Sequence, residues 1–282
     1  MAITGTRGNA VFRKTEQELL RLASEQSSDA VHGFRRATRR LETLLGEFPA
    51  KPNRNQGKLL RMLDRIRRRA GKVRDVDVQL GALRGFKVSL EPRRKTRLME
   101  QLLEARVQHE RRLCKLLKKN DVREIRRRLR KASQSFPRAL IADPVQTAAR
   151  ILGSVKGSEG SLNDVALHRY RLALKRARYA AELAPRSTTA EQLIRELKRL
   201  QDALGAWHDW MLLTKTASEH LGEGKQSPLV RALDNLTQGK FRLAVAALGS
   251  SNVVNLGAPP SALITDSEFK APATTTAAES VA

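Results

Sequence analysis

Two stretches of this chain repeat each other, and that repeat restricts the fold more than any other feature. The first reads His32-Gly33-Phe34-Arg35-Arg36-Ala37-Thr38-Arg39-Arg40, the second His168-Arg169-Tyr170-Arg171-Leu172-Ala173-Leu174-Lys175-Arg176. Each has a histidine followed by a basic residue three, seven and eight positions on. Downstream of each lies a Gly-x-x-(Arg or His)-Asp element, Gly71 to Asp75 and Gly205 to Asp209. Two motifs in the same order at nearly the same separation indicate an internal duplication. The spacing of three and four within each copy predicts helices, so the expected fold is all-α with two related halves.

Helical geometry assigns the repeated residues to a face. With a turn of 100° per residue and His32 set to zero, Arg35 lies at about −60°, Arg39 at about −20°, Arg36 at about +40° and Arg40 at about +80°. Val31, Phe34, Leu41, Leu44, Leu45 and Phe48 gather on the opposite side. The histidine therefore belongs to the basic face and not to the core. The second helix repeats the arrangement: Arg171, Lys175 and Arg178 flank His168, while Leu167, Tyr170, Ala173, Leu174, Ala177 and Ala181 face away. Leu172 is an apolar intruder on that basic face. The helix after the first motif carries its own seam of Lys58, Arg61, Arg65, Arg68 and Lys72, thinner in the second half at Arg195, Lys198 and Arg199.

Capping and breaking residues mark the elements. Gly5 and Gly8 predict a frayed start over residues 1–10, with a first helix from Val11 to Gln26. Ser28 and Asp29 are expected to cap the next helix, which stops at Pro49. Helices are expected at 57–83, 93–119, 122–135, 144–152, 162–183, 188–204, 207–221 and 228–248, with a Gly/Ser linker at 153–160. No period-2 pattern suggests a strand. The first half is then 11–152 and the second 161–248. Beyond Gly249 the chain turns to Ala, Thr, Ser and Pro, with Asp266, Glu268 and Glu279 against Lys270; this tail, 249–282, reads as disordered.

Charge narrows the function. With 54 Lys+Arg against 29 Asp+Glu, the formal net charge is +25. Such an excess favours polyanions as partners, and guanidinium forks match phosphate oxygens. The single cysteine, Cys114, allows no disulfide framework or thiolate metal site. Met1 to Ala10 lacks the order of a signal peptide, and no apolar run approaches a membrane span. A cytoplasmic location, with no membrane partner, is the expectation.

The pattern His-x-x-Arg-x-x-x-(Arg/Lys)-Arg, followed by Gly71-Lys72-Val73-Arg74-Asp75-Val76-Asp77-Val78, resembles the CHAD family, the conserved-histidine α-helical domain. Leu200-Gln201-Asp202-Ala203-Leu204-Gly205 with Asp209 is similar to that family's C-terminal counterpart. The resemblance covers about Thr15 to Leu248. It implies two pseudo-symmetric helical bundles with a basic groove or channel between them, and non-catalytic binding of inorganic polyphosphate. It also implies residence at polyphosphate granules. The candidate polyphosphate contacts are His32, Arg35, Arg36, Arg39, Arg40, Arg61, Arg65, Lys72, Arg74, His168, Arg171, Lys175, Arg176, Arg178 and Lys198. Asp75 and Asp209 are expected to orient basic side chains. Two departures stand out: Glu42 where the family often has a base, which weakens that face or supplies a partner for an arginine, and His208 in place of an arginine.

Other classes fit less well. Nucleic-acid binding is the main alternative, since its phosphates attract the same side chains. Against it stand the low aromatic content, 4%, and the lack of a stacking motif or helix-turn-helix. A metal-dependent phosphohydrolase would draw on His32, His168, Asp75 and Asp209, but the surrounding arginines oppose a cation and no HExxH or Cys/His cluster is present. No metal or cofactor is expected. His208 and Asp209 are adjacent on a helix and diverge by 100°, too far for a catalytic dyad.

Overall fold

The structure is a computed structural model and describes residues 3–48, 52–87, 91–136, 139–140, 142–155, 163–221 and 227–251. Among them nine helices account for the architecture: α1 (Gly5–Ser24), α2 (Ser28–Glu47), α3 (Arg54–Gly85), α4 (Pro92–Cys114), α5 (Lys119–Gln134), α6 (Pro144–Gly153), α7 (Asp164–Ala181), α8 (Thr188–Leu221) and α9 (Pro228–Gly249). The sole extended pairing among the described residues is a two-residue antiparallel ladder, Ile3 opposite Leu140 and Thr4 opposite Ala139. Most of the expected linker and nearly all of the expected tail, residues 156–162 and 252–282, lie outside the described residues. None of the described helices is long and apolar enough to cross a membrane.

The order of packing runs twice through the chain. In the first half α1 packs on the His32 helix α2, α2 on the long helix α3, and α3 on α4. In the second, α6 packs on the His168 helix α7, α7 on the long helix α8, and α8 on α9. Helix α5, which packs on α1 and α3, has no counterpart among the described residues of the second half. The halves meet where α2 contacts α7 and α3 contacts α8.

Two apolar cores hold these helices. The larger draws Phe34, Leu41, Leu44, Leu63, Ile66 and Val73 from one half and Leu167, Leu174, Leu197, Leu204 and Trp207 from the other. The smaller combines Val76, Leu80 and Leu83 of α3, Leu98 and Leu102 of α4, Leu213 and Ala217 of α8, and Leu229, Val230 and Leu233 of α9. Each long helix therefore runs from one core into the other. α3 crosses between Val73 and Val76, and α8 crosses between Trp207 and Leu213. Glu91, in the left-handed region at φ 49°, ties α4 to α9 by accepting from the Ser227 hydroxyl at 2.5 Å and the Leu229 amide at 3.1 Å.

Several sequence expectations need correction. The first ten residues are not frayed as a whole, because α1 begins at Gly5. Tertiary contacts override the weak helix propensity of the two glycines. Gly8 is packed against the Phe136 ring, where a Cβ would come within 2.5 Å of Cε1. Arg7 donates to the carbonyls of Leu183 and Ala184 just beyond α7. Ser27, not Ser28, caps α2, accepting from the Ala30 amide at 3.2 Å. Helix α3 starts at Arg54 behind a full capping box between Asn53 and Gln56. The chain turns after Cys114, earlier than expected, so that Leu116 and Leu117 pack on the larger core. Helix α8 continues through Gly205, where two helices were expected. A lone glycine costs about 1 kcal/mol in a helix, and burial of Leu200, Leu204 and Trp207 on one side outweighs it.

The assigned faces make a direct prediction. Leu174 is 1% exposed and its neighbour Leu172 is 40% exposed. In urea denaturation, Leu174→Ala should cost about 2–5 kcal/mol, whereas Leu172→Ala should change stability by less than about 0.5 kcal/mol.

Candidate anion-binding site

Where the long helices pass between the cores, four helices bring the repeated motifs together. α2 supplies Arg35 and Arg39, α3 supplies Arg74 and Asp75, α7 supplies Arg171 and Lys175, and α8 supplies His208 and Asp209. Their mutual electrostatic influence crosses both halves. Burial lowers the Arg35 pKa first; Asp75 opposes this, and Arg39, Arg67 and Arg74 add to it. Burial likewise lowers Arg171, opposed by Asp209 and Asp75 and reinforced by Arg39. Asp209 is raised by burial, then held back by Arg171 and Lys175, with Asp75 raising it and Arg74 lowering it. Asp75 and Asp209 therefore sit in one cluster with cations from both motifs.

That cluster has more positive than negative charge. Among the described residues, Arg35, Arg171 and Lys175 have no carboxylate within ion-pair distance, and the Arg171 Nε is buried without a hydrogen-bond partner. Arg74 donates to the Ser28 hydroxyl at 3.0 Å. Half-buried cations normally have paired partners, because desolvation disfavours a lone charge. A group of them held together without enough carboxylates is an arrangement ready for an external anion.

A glycine shapes the first-half side of the cluster. The tip of the Arg35 guanidinium comes so close to where a Cβ on Gly71 would stand that a side chain there would have to displace it, with Cζ 3.7 Å from that position. This gives the glycine of the Gly-x-x-Arg-Asp element a physical purpose. The equivalent Cβ position at Gly205 meets nothing within 4 Å. Gly33, beside His32, is covered in the same way by the buried carboxylate of Glu18, which pairs with Lys14 at 2.8 Å.

The histidines and the lysine are held toward their neutral forms. Burial depresses His32, helped by Arg74, Arg36 and Arg35 and opposed by Asp29. Burial, Arg171 and Lys175 depress His168. The His208 ring lies 5.6 Å from that of His168. Burial, then Arg171, His168 and Lys175, push its pKa to about 3, and its Nδ1 is buried without a partner. Lys175 is pushed down to about 7 by burial, Arg171 and Arg35, with Asp209 opposing and Arg39 adding.

Other predicted contacts stand elsewhere or already have partners. Arg40 pairs with Glu182 at 2.6 Å and lies 6.0 Å from the Tyr179 ring centre. Arg178 stacks 5.2 Å from the same ring and approaches Glu182 at 3.7 Å; it is thus part of the packing of α7 rather than a free cation facing away from it. Arg176 shares Glu47 with Arg150. Arg36, Arg61, Arg65, Lys72 and Lys198 are exposed on their helices. Lys72 also helps depress His109 of α4, after burial and Arg112. Sequence reasoning missed His109 and Arg67. Glu42 proves to be a local partner, bridging Arg39 at 3.1 Å and Arg67 at 2.7 Å; its place three residues after Arg39 was the available signal. No group of three or more metal-ligating side chains occurs among the described residues.

The fold and site define a class: an all-helical protein whose halves converge on a half-buried, cation-rich cluster. The profile of the CHAD domain family matches residues 9–218, and the chain belongs to that family. Among solved structures it is similar to the CHAD domain from the plant Ricinus communis, with a TM-score of 0.61 and 16% sequence identity over 90% of each chain. No curated protein matches it.

The depressed histidine and lysine make the free protein's stability depend on pH with a fixed sign. In the folded chain His208 titrates at about 3 against an ordinary 6.5, and Lys175 at about 7 against 10.5. Between each pair of values the unfolded state binds more protons, so stability rises with pH. Urea midpoints should climb from about pH 4 to about pH 6 and again from about pH 7 to about pH 9. His208→Asn should flatten the first rise and Lys175→Met the second.

Proposed function

We propose that this protein binds inorganic polyphosphate without catalysis, through the cluster formed by Arg35, Arg39, Arg74, Arg171 and Lys175. The observation that carries the reading is that cations from both motifs share one half-buried site in which three of them lack a carboxylate partner. A linear polyphosphate presents one anionic group per unit and no bases, which suits a site rich in guanidinium and poor in aromatics. Its oxygens would accept charge-assisted hydrogen bonds, each contributing about 1.5–3 kcal/mol. Counterion release would make the affinity fall steeply with salt. Asp75 and Asp209 partly offset the charge of Arg35, Arg171 and Lys175, and the reading calls for no nucleophile paired with a base. Residence in the cytoplasm at polyphosphate granules follows from the same reading.

Nucleic acid remains the second reading, since the exposed bases of α3 form a generic phosphate-attracting surface. Trp207, Tyr170 and Tyr179 are buried and Trp210 is packed against the smaller core, which leaves few stacking platforms for bases. At physiological salt, labelled long-chain polyphosphate should be displaced by unlabelled polyphosphate far more readily than by duplex DNA or single-stranded RNA at equal phosphate concentration. Replacing Arg35, Arg39 and Arg171 together with Ala should abolish that preference while leaving the circular dichroism of the helices intact. Equal competition by nucleic acid would move that reading to first place.

Gly71 offers a finer test. Gly71→Ala should keep or raise the melting temperature, because alanine favours a helix by about 0.5–1 kcal/mol over glycine. It should nevertheless weaken polyphosphate binding several-fold, by displacing the Arg35 guanidinium. Gly205→Ala should leave binding unchanged, as measured by the same titration.

A further inference from the structure

The cation cluster contains several groups that can take up a proton. His168 and Lys175 come from α7, His208 and Asp209 from α8, and His32 from the rim of α2. Helices α2 and α8 both pack on α7 here. The His168 and His208 rings stand 5.6 Å apart, and the Arg171 Nε and His208 Nδ1 are buried without a hydrogen-bond partner. Arg171 on its own helix, Arg35 and Arg39 on α2, and His208 and Asp209 on α8 are the charged and titratable groups that interact with Lys175. From α3, Asp75 and Arg74 act on the same network through Arg171 and Asp209. The remaining helix packed on α7 is α6, whose one charged residue, Arg150, is engaged with Glu47. Lys175 therefore faces three cations and one unpaired carboxylate and makes no ion pair of its own.

Electrostatics alone dictates what an incoming anion does here. In the free protein the neighbouring guanidiniums and the loss of water disfavour the charged forms of the lysine and the histidines. A polyanion lying across Arg35 and Arg171 reverses the local potential. It makes the protonated form of each of these groups the favoured one, and it also favours the neutral form of Asp209. We propose that polyanion binding at this site is coupled to proton uptake, so that the protein holds its ligand more tightly as pH falls and releases it as pH rises. This rests on the polyphosphate reading above and adds the regulation of that site.

The sign and the window follow from the groups. Lys175 in the free protein is pushed down to about 7, and an adjacent anion returns it toward its ordinary value. Above neutrality the free lysine is largely neutral, so binding takes up a proton there. Apparent affinity then drops about tenfold per pH unit for each proton taken up. Below neutrality Lys175 is already charged and makes no further demand. The histidines take over in that lower range, since all three are depressed in the free protein.

Calorimetric titration of the full chain with long-chain polyphosphate tests this, using two buffers of different ionisation heat. The chain is chosen long so that its two terminal phosphates contribute negligibly. At about pH 8 the protein should take up roughly one proton per site, and Lys175→Arg, which keeps the charge at every pH, should take up almost none. At about pH 6 uptake should persist in Lys175→Arg and fall in His168→Asn and His208→Asn. Heats that are independent of the buffer at both pH values would overturn the coupling, as would uptake at pH 8 that is unaffected by Lys175→Arg. Absence of any binding would overturn the polyphosphate reading beneath it. Circular dichroism and urea midpoints of each variant separate loss of coupling from loss of fold.

Discussion

Mutual repulsion among half-buried cations is the condition under which the rest of this structure is organised. The charged forms of Arg35, Arg171 and Lys175 are disfavoured by their cationic neighbours; Asp75 and Asp209 oppose this, and Glu42 pairs with Arg39 at the edge of the group. Such a group would drive its helices apart if nothing else held them. The apolar cores on either side supply the opposing force. Phe34, Leu63, Leu174 and Leu197 close the larger core, and Leu83, Leu98, Leu213 and Leu229 close the smaller. Each buried leucine contributes roughly 1.5–3 kcal/mol, enough in sum to hold charges in place that the cluster alone would not tolerate.

Much of this was legible in the sequence because helical periodicity is a local property. The 100° turn placed His32, Arg35 and Arg39 on one side of α2 and Phe34, Leu41 and Leu44 on the other, and the burial pattern agrees. Contacts between distant residues were not legible. Gly71 is explained by Arg35 on another helix, and nothing in the local pattern announces that approach. Arg40 and Arg178 fitted the basic pattern as well as Arg35 did. Their difference lies in Glu182 and Tyr179, which only the packing brings within reach. Gly5, Gly8 and Gly205 misled for one reason: propensity is weak, and burial of neighbouring residues decides whether a helix continues.

The two halves match in order without matching in detail. Arg74 of the first element has His208 as its counterpart, and the close packing at Gly71 has no equivalent at Gly205. Glu42 tethers Arg39 and Arg67 on one side only. The site therefore combines a side where the Arg35 guanidinium is packed close over a backbone with a side where a lysine and two histidines are held toward their neutral forms. A fixed charge and an adjustable charge face the same space.

The long helices α3 and α8 each pass from one core into the other, and the site carboxylates lie at the crossing. A helix fixed at both ends cannot tilt at its middle without disturbing two packed regions at once. On the polyphosphate reading proposed above, the host is ordered before its ligand arrives, and the loss of conformational freedom on association would fall on the guest. For a flexible polymer that loss accrues unit by unit, so the molecule would discriminate among chains by how readily they straighten.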